Sequence, residues 1–320
     1  MPPRVRVFAP ASVSNVGPGF DVLGFALERP GDVVEAEAAD EPGVRIVEVS
    51  GDGGELSTDP DRNVAGVAAR SALSALRGIG AAAPDAGVRL RVHKRMPLAS
   101  GLGSSAASSV AGALAVNELF GRPLERRALL DHALAGEAVA SGSAHADNVA
   151  PSLFGGFVLI RTYDPIDVID LPVPERLRVA VVHPHCRVET SKARALLHGH
   201  PFTIEQAVAN LGNLAALVVG LHRKDLDLVG RSIEDRMVEP LRAPLIPGFA
   251  AVKAAARRAG ALGCSISGSG PSVFALADGD ETAARAAAAM VDAFRDAAGL
   301  DAESYVGPID GAGARRIDEP

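Results

Sequence analysis

A glycine- and serine-rich loop leads directly into a long alanine-rich helical pattern in the N-terminal half of the chain. The loop runs Pro97-Leu-Ala-Ser-Gly-Leu-Gly-Ser-Ser-Ala-Ala-Ser108, and the helical pattern extends from Ser104 to Phe120. Gly101 and Gly103 allow positive φ angles and let the backbone lie close to a bulky anion. The free N–H groups at the start of the following helix point at that anion, and the helix dipole favours its negative charge. The loop therefore predicts a phosphate site.

Two widespread phosphate loops fit this segment poorly. A P-loop requires a lysine directly after its last glycine, whereas the nearest lysine here, Lys94, precedes the loop. The stretch from Gly101 to Ala106 does match the dinucleotide fingerprint G-x-G-x-x-A. The strand pattern Val88–Lys94 nevertheless ends well before Gly101, so this match is weak.

Composition and charge narrow the class of protein. A chain of 320 residues suits one large domain or two ordinary ones, and 48% hydrophobic with 22% charged residues is typical of a globular enzyme. The net charge of −7 argues against nucleic acid or an anionic membrane as a partner. The N-terminus lacks the apolar core of a signal peptide, and no apolar run approaches the roughly 18 residues of a membrane span. Cys186 and Cys264 suit a reducing compartment. We therefore expect a cytoplasmic protein.

The order of periodic patterns predicts an α+β fold. Alternating patterns predict strands at Arg4–Ala9, Asp32–Ala38, Val44–Val49, Val88–His93, Phe154–Arg161, Leu177–His183 and Ser272–Ala277. Helical spacing predicts helices at Asn63–Arg77, Ser104–Phe120, Leu124–Ala140, Ser191–Leu197, Ile204–Leu221, Leu226–Ser232, Ala250–Ala259 and Glu281–Ala298. These elements do not alternate strictly as in a doubly wound sheet. A proline-rich stretch near residue 165 predicts two domains, residues 1–165 and 166–320.

Two further glycine-rich segments flank strand patterns. The first is Ala9–Gly24, and the second is Gly263–Ser272. Each alone fits an ordinary turn, but three such segments in this order are unlikely to be accidental.

On these three segments the chain resembles the superfamily of galactokinase, homoserine kinase, mevalonate kinase and phosphomevalonate kinase. The central P-x-x-x-G-L-G-S-S-A-A motif is specific for it. The first motif here is Pro10-Ala-Ser-Val-Ser-Asn15 with Gly19-Phe-Asp21-Val-Leu-Gly24. It lacks the lysine of mevalonate kinases and the G-E-H-x-D pattern of galactokinases, and it is similar to the motif of the homoserine kinase family. Glu137 with the segments 141–151, 189–194 and 239–249 extends this similarity.

The resemblance implies a fold and an activity. The fold would be a two-domain small-molecule kinase, with a ribosomal-protein-like β-α domain followed by a ferredoxin-like domain, and with ATP and acceptor between them. The activity would be ATP-dependent phosphorylation of the L-homoserine hydroxyl to O-phospho-L-homoserine, on the route to threonine. A sister kinase for another small alcohol and a non-catalytic ligand-binding regulator are the alternatives. The resemblance also implies a homodimer, for which the sequence shows no interface.

The resemblance also assigns the nucleotide side of the site. The ATP-binding residues would be Asn63, Pro97, Leu98, Ala99, Ser100, Gly101, Leu102, Gly103, Ser104, Ser105, Ala106 and Ala107. Ser105 and Glu137 would add oxygen ligands for Mg²⁺, which prefers them. Asn63 matches the adenine-side asparagine of the family, although its residue type and position equally suit an ordinary helix N-cap.

The acceptor side follows in the same way. Arg194 and Arg242 would bind the acceptor carboxylate, because a guanidinium binds a carboxylate through two parallel hydrogen bonds. The remaining assignments are Asn15 and Asp21 for the ammonium, His145 and Thr190 for the pocket wall, and Asn148 for the reacting hydroxyl. Asp147 is not assigned as a general base, because the loose transition state of phosphoryl transfer needs no early base.

Overall fold

The computed structural model describes residues 3–141 and 145–318, which form two β-sheets with helices packed on them. The strands are β1 (Arg4–Ser14), β2 (Leu23–Ala39), β3 (Gly43–Ser50), β4 (Gly87–His93), β5 (Phe157–Tyr163), β6 (Ile166–Leu171), β7 (Leu177–Pro184), β8 (Gly263–Ile266), β9 (Val273–Asp278), β10 (Ala302–Gly307) and β11 (Arg315–Ile317). The helices are α1 (Val64–Gly78), α2 (Ser104–Leu119), α3 (Ala128–Ser141), α4 (Ala146–Phe154), α5 (Thr190–Ala195), α6 (Ile204–Arg223), α7 (Leu226–Arg231), α8 (Glu239–Arg242), α9 (Phe249–Arg258) and α10 (Asp280–Ala298).

The first sheet has the strand order β11-β1-β2-β4-β3, and β5 pairs with both β2 and β6. Only the β3–β4 pair is parallel among its described strand pairs. Helix α2 lies between the sheet and helices α1 and α3, and 13 of its residues are buried. Its alanine-rich composition follows from this close packing. A Cβ atom added at Gly112 would lie 2.5 Å from the carbonyl oxygen of Ala65 on α1.

The second sheet is antiparallel with the order β10-β7-β9-β8. Along the chain its elements follow the sequence strand, helices, strand, strand, helix, strand, which is the ferredoxin-like arrangement. A separate apolar core lies under it and includes Val182, Phe249, Met290 and Phe294. The predicted α+β fold with two domains is confirmed.

The structure differs from the predicted elements where backbone geometry overrides local pattern. The strand predicted from Phe154 begins at Phe157, because Gly155 and Gly156 adopt positive φ angles of 80° and 73° after α4. Helix α4 is not predicted at all, since it contains Pro151. Strands β6 and β11 both join the first sheet although they follow residue 165. The division at residue 165 stays a prediction.

Candidate active site

The three glycine-rich segments meet around a cavity of about 540 Å³. Sixteen of the predicted site residues line this cavity: Asn15, Asp21, Asn63, Leu98, Ala99, Ser100, Gly101, Gly103, Ser104, Ser105, Glu137, His145, Asn148, Thr190, Arg194 and Arg242. Of the other predicted residues, Leu102, Ala106 and Ala107 are buried in the core behind the loop, and Pro97 is half-buried at its start. A cleft of this volume is typical of a small-molecule site.

The central loop needs glycine at two positions. Gly101 and Gly103 have φ angles of 78° and 67°, which favour glycine. A Cβ atom at Gly103 would lie 2.2 Å from Ser12 Oγ, and one at Gly101 would lie 2.5 Å from the Ser267 carbonyl oxygen. Gly103 is the N-cap of α2, and no side chain in the described part of the chain caps that helix end by a hydrogen bond. The first turn of α2 thus offers its N–H groups to an anion in the cavity.

The third glycine-rich segment supports the other two. The Ser267 hydroxyl donates to the Gly101 carbonyl (2.7 Å), and the Ser272 N–H donates to the Ser100 carbonyl (3.1 Å). The Gly268 N–H donates to the Ser14 carbonyl (3.2 Å) in the first segment. This segment therefore holds the phosphate loop against the first motif.

A buried ion pair between Lys94 and Asp32 lies beneath the start of α2. The Lys94 ammonium also donates to the Ser104 carbonyl (2.9 Å) and the Ser108 hydroxyl (2.7 Å). Both serine hydroxyls donate to Asp32 Oδ2, at 3.1 and 2.8 Å. The side chains of Lys94 and Asp32 are only 2% and 0% exposed, so this network fixes the first two turns of α2 to strands β2 and β4.

At the other end of the cavity, Asp21 and Arg194 form a bidentate ion pair. The two nitrogen–oxygen distances are 2.9 and 3.0 Å. Arg194 Nη2 also lies 3.0 Å from His145 Nε2. Because a guanidinium only donates hydrogen bonds, His145 Nε2 accepts, and Nδ1 carries the proton that faces Glu137 Oε1 at 3.4 Å. A continuous polar chain therefore connects Asp21 to Glu137.

Arg242 is a buried cation that forms no ion pair with a carboxylate among residues 3–141 and 145–318. It is 3% exposed, and its Nη1 donates to the Gly268 carbonyl (2.9 Å). Its Nε has no hydrogen-bond partner among the described residues. Burial and the charge of Arg194 lower the pKa of Arg242. The Phe20 ring lies 5.2 Å from its guanidinium and 5.5 Å from that of Arg194. This arrangement favours an anion at Arg242.

Asp147 is a second buried ionisable group that faces the cavity. It is 1% exposed, and its Oδ1 has no hydrogen-bond partner in the described part of the chain. Burial and the nearby Asp21 carboxylate raise the pKa of Asp147 to about 7. The neighbouring Asn148 accepts a hydrogen bond from the Ser12 hydroxyl (3.0 Å) at its Oδ1. Asn148 thus lies beside Gly103, between the phosphate loop and the acidic end of the cavity.

Similarity to known proteins agrees with this geometry. Residues 65–156 match the family described as GHMP kinases N terminal domain, and residues 217–296 match GHMP kinases C terminal. The homoserine kinase of Chlorobium phaeovibrioides is 48% identical over 97% of this chain and 98% of its own. The crystal structure of homoserine kinase from Cytophaga hutchinsonii is 49% identical, with a TM-score of 0.93 over 98% of this chain and 97% of its own. This chain belongs to the homoserine kinase family.

A more distant structure shares the fold alone with this homoserine kinase family member. The mevalonate kinase of L. major, solved with R-mevalonate, has a TM-score of 0.71 at 18% identity and covers 95% of this chain and 96% of its own.

Two alternative roles are predicted for Asn63, contact with adenine and the N-cap of a helix. Its Oδ1 accepts the Ala65 N–H (3.0 Å) as the N-cap of α1, and its Nδ2 donates to the Ser57 carbonyl (2.9 Å). The N-cap is confirmed, whereas contact with adenine stays a prediction for a residue that borders the cavity.

Ser105 and Glu137 are the residues that could supply oxygen ligands to a magnesium ion. Both line the cavity and supply a hydroxyl and a carboxylate oxygen. The described residues contain no cluster of three or more His, Cys, Asp or Glu side chains suited to a metal. Mg²⁺ commonly binds through one or two protein oxygens with substrate phosphates and water completing its shell, and this donor set matches that mode.

Several features around the cavity are not predictable from the sequence, because tertiary packing brings their side chains together. Lys94 and Asp32 are 62 residues apart, and no local pattern relates them. One signal was available, because Lys94 is one of only four lysines in the chain and directly follows a strand pattern. The burial of Asp147 and the contact of Phe20 with two arginines have no such signal.

Proposed function

We propose that this protein transfers the γ-phosphoryl group of ATP to the side-chain hydroxyl of L-homoserine and forms O-phospho-L-homoserine. One observation carries the proposal. The buried Arg242 guanidinium lies in the same cavity as the carboxyl groups of Asp21 and Asp147, and it forms no ion pair with a carboxylate among the described residues. An acceptor that carries both a carboxylate and an ammonium complements these opposite charges.

The acceptor would bind through its two charged groups. Arg242 and Arg194 would hold the carboxylate, and Asp21 with Asn15 would hold the ammonium. Asn15 is prepared for this role, since its Nδ2 donates to the Gly268 carbonyl (2.8 Å) and its Oδ1 accepts the Asp21 N–H (3.0 Å). Those contacts fix Asp21, which has a positive φ angle of 58°. His145 and Thr190 would complete the pocket wall.

The nucleotide would bind along the phosphate loop, with its phosphates at the N-terminus of α2 and its base toward Asn63. Gly101, Gly103 and the first turn of α2 would donate backbone N–H groups to the phosphate oxygens. Mg²⁺, held by Ser105, Glu137 and the phosphates, would neutralise charge on the transferring oxygens. The Lys94–Asp32 pair beneath α2 keeps these donors in position.

Asn148 would orient the acceptor hydroxyl toward the γ-phosphorus. Its place beside Gly103 puts it between the two binding regions. Alignment of this kind supplies much of the rate enhancement in phosphoryl transfer. The hydroxyl proton would leave late, to a phosphate oxygen or to solvent, so the chemistry requires no strong base.

We also propose a cytoplasmic location, a role in threonine biosynthesis and a homodimer.

A sister kinase for mevalonate or a sugar is less consistent with a cavity that contains a buried arginine and two acidic side chains. A non-catalytic regulator has no need of the oxygen donors of Ser105 and Glu137.

The direct test is ADP release with ATP and Mg²⁺ in the presence of L-homoserine, L-serine, mevalonate or galactose. We expect turnover with L-homoserine in the range of ~1–100 s⁻¹ and little with the others. The variant Arg242→Gln should lose most of this activity, whereas the matched exposed variant Arg257→Gln should retain it. Preference for another alcohol would refute the acceptor, and ATP binding without turnover on any acceptor would favour a regulator.

A further inference from the structure

The aromatic ring of Phe20 lies against both arginines of the acceptor region. The guanidinium carbon of Arg242 is 5.2 Å from the centre of the ring, and that of Arg194 is 5.5 Å away. Both distances are within the range of about 6 Å for an attractive cation–π contact. Phe20 is half-buried and is not among the described residues that line the cavity, whereas both arginines line it. The ring therefore acts on an acceptor through the two guanidinium groups.

Arg242 and Arg194 are like charges held near each other. Burial and the charge of Arg194 lower the pKa of Arg242, so these surroundings disfavour its cation. Asp21 neutralises Arg194 through two hydrogen bonds of 2.9 and 3.0 Å, whereas Arg242 donates to the backbone carbonyl of Gly268 (2.9 Å). The face of an aromatic ring carries negative charge. The Phe20 ring therefore offsets part of the positive charge on Arg242 before an acceptor binds.

Each of the two guanidinium groups keeps one buried donor. The Nε atoms of Arg194 and Arg242 have no hydrogen-bond partner among the described residues. Buried donors normally have a partner, and leaving one unpaired costs free energy. Because both arginines line the cavity, an acceptor carboxylate is a suitable partner for these donors. Contact with one ring fixes both arginine side chains before that carboxylate arrives.

The loop that carries Phe20 is itself held in place. The Leu23 N–H donates to the Gly19 carbonyl (2.9 Å). Asp21 has a positive φ angle of 58°, and its N–H donates to Asn15 Oδ1 (3.0 Å). This bend presents the ring to both guanidinium groups and the adjacent carboxylate to one of them.

We propose that Phe20 is a positioning residue that sets the preference for an acceptor with a carboxylate, by holding the guanidinium groups of Arg242 and Arg194 side by side. Without the ring, the Arg242 side chain has to be ordered when the acceptor binds, and this cost lowers the affinity. An acceptor without a carboxylate gains nothing from that order. The inference rests on the proposed phosphorylation of L-homoserine and adds a determinant of specificity to it.

The variant Phe20→Leu keeps an apolar side chain and removes the aromatic ring. It should lower kcat/KM for L-homoserine by about 3- to 30-fold, the effect of losing a partly buried cation–π contact. The kcat/KM for 3-aminopropan-1-ol, which lacks the carboxylate, and the KM for ATP should not change. The matched control is Phe8→Leu, because the Phe8 ring lies 4.8 Å from the guanidinium carbon of Arg315 and neither residue lines the cavity. This control should leave all three values unaltered.

A series of fluorinated rings tests the electrostatic part of the proposal without changing the shape of the side chain much. Site-specific replacement of Phe20 by 4-fluoro-, 3,5-difluoro- and 3,4,5-trifluorophenylalanine withdraws charge from the face of the ring in steps. The logarithm of kcat/KM for L-homoserine should fall with each added fluorine, while the value for 3-aminopropan-1-ol stays constant. The series also replaces Phe20→Leu as the test if circular dichroism shows that this variant is unfolded.

Two results would overturn the role of Phe20 alone. One is an equal loss for both alcohols in Phe20→Leu, which would make the ring merely structural. The other is a flat fluorine series in an enzyme whose unmodified form phosphorylates L-homoserine. An unmodified protein that phosphorylates another alcohol and not L-homoserine would overturn the proposed function together with this inference.

Discussion

Asp21 and Arg194 neutralise each other at the acceptor end of the cleft, with both carboxylate oxygens bonded to the guanidinium. Arg242, by contrast, is buried with only a backbone carbonyl as its hydrogen-bond acceptor among the described residues. Arg242 would therefore be the main contact of the incoming carboxylate, and Arg194 would contact it through its Nε, which has no hydrogen-bond partner among the described residues, while keeping its bonds to Asp21. This difference between the two arginines is invisible in the sequence, where both simply match a family spacing.

Replacing Asp21 separates acceptor binding from nucleotide binding. Asp21→Ala should lower kcat/KM for L-homoserine by about 10- to 100-fold, since a hydrogen bond to a charged group contributes ~1.5–3 kcal/mol. The KM for ATP should change little, because Asp21 pairs with Arg194 and forms no hydrogen bond to the phosphate loop among the described residues. Steady-state kinetics with each substrate varied in turn measures both effects, with the exposed Asp40→Ala as a control. Equal damage to both KM values would mean that Asp21 has only a structural role.

Asp147 makes stability depend on pH. Burial and the charge of Asp21 raise the pKa of Asp147 to about 7 in the folded protein, from the ordinary value of 3.8 for an aspartate carboxyl. Between these values the folded state binds more protons than the unfolded state, so Asp147 lowers the free energy of unfolding as pH rises from about 4 to 7. Asp147→Asn removes this dependence. Urea unfolding should find the variant more stable than the parent at pH 8 and closer to it at pH 5.

A larger stability advantage of Asp147→Asn at pH 5 than at pH 8 would contradict this account of Asp147. The control Asp40→Asn changes an exposed carboxyl and should leave the pH profile of unfolding unaltered.

At the scale of elements, the Lys94–Asp32 pair joins β2, β4 and the start of α2 into one unit. Lys94→Met should lower the free energy of unfolding by about 3–5 kcal/mol, because it leaves a buried carboxylate without its cation. The exposed Lys192, which pairs with Glu189 (2.9 Å), is the matched control, and Lys192→Met should cost under about 1 kcal/mol. The double variant Lys94→Met/Asp32→Asn should recover most of the loss.

Urea unfolding of the unmodified chain, these three variants and Asp32→Asn alone measures the coupling between Lys94 and Asp32. If Lys94→Met were as mild as Lys192→Met, the pair would not fix the phosphate loop.

Elements defined by local periodicity were predictable, and those defined by tertiary contacts were not. The glycine loop and α2 follow from residue types that set backbone angles and helical spacing. Helix α4 contains Pro151 and is stabilised by burial of Ala146, Val149 and Leu153 rather than by propensity. The short strand β11 exists only because β1 provides a partner edge. The site residues are predicted from the family resemblance. A resemblance identifies positions in the sequence, but it does not give the hydrogen bonds between the side chains at those positions.

At the scale of the whole molecule, residues from both halves of the chain line the cleft, and each wall contributes one kind of recognition. The N-terminal wall supplies the phosphate loop and α2, whereas Arg194, Arg242 and the third glycine-rich segment come from the C-terminal half. The third glycine-rich segment is hydrogen-bonded to both the first motif and the phosphate loop, so it connects the acceptor region of the cleft to the nucleotide region. The separation between donor and acceptor is thereby set by the fold rather than by a single residue.

The most direct test of this account compares kcat/KM for L-homoserine with kcat/KM for 4-hydroxybutyrate, which lacks the ammonium, and 3-aminopropan-1-ol, which lacks the carboxylate. Loss of the carboxylate should cost at least ~100-fold, because it leaves the buried Arg242 without an anion, and loss of the ammonium should cost about 10- to 100-fold, because it removes a hydrogen bond to the Asp21 carboxylate. In Arg242→Gln the discrimination against 3-aminopropan-1-ol should largely disappear, while that against 4-hydroxybutyrate should persist. Comparable kcat/KM values for all three alcohols with the unmodified enzyme would contradict recognition of a zwitterionic acceptor.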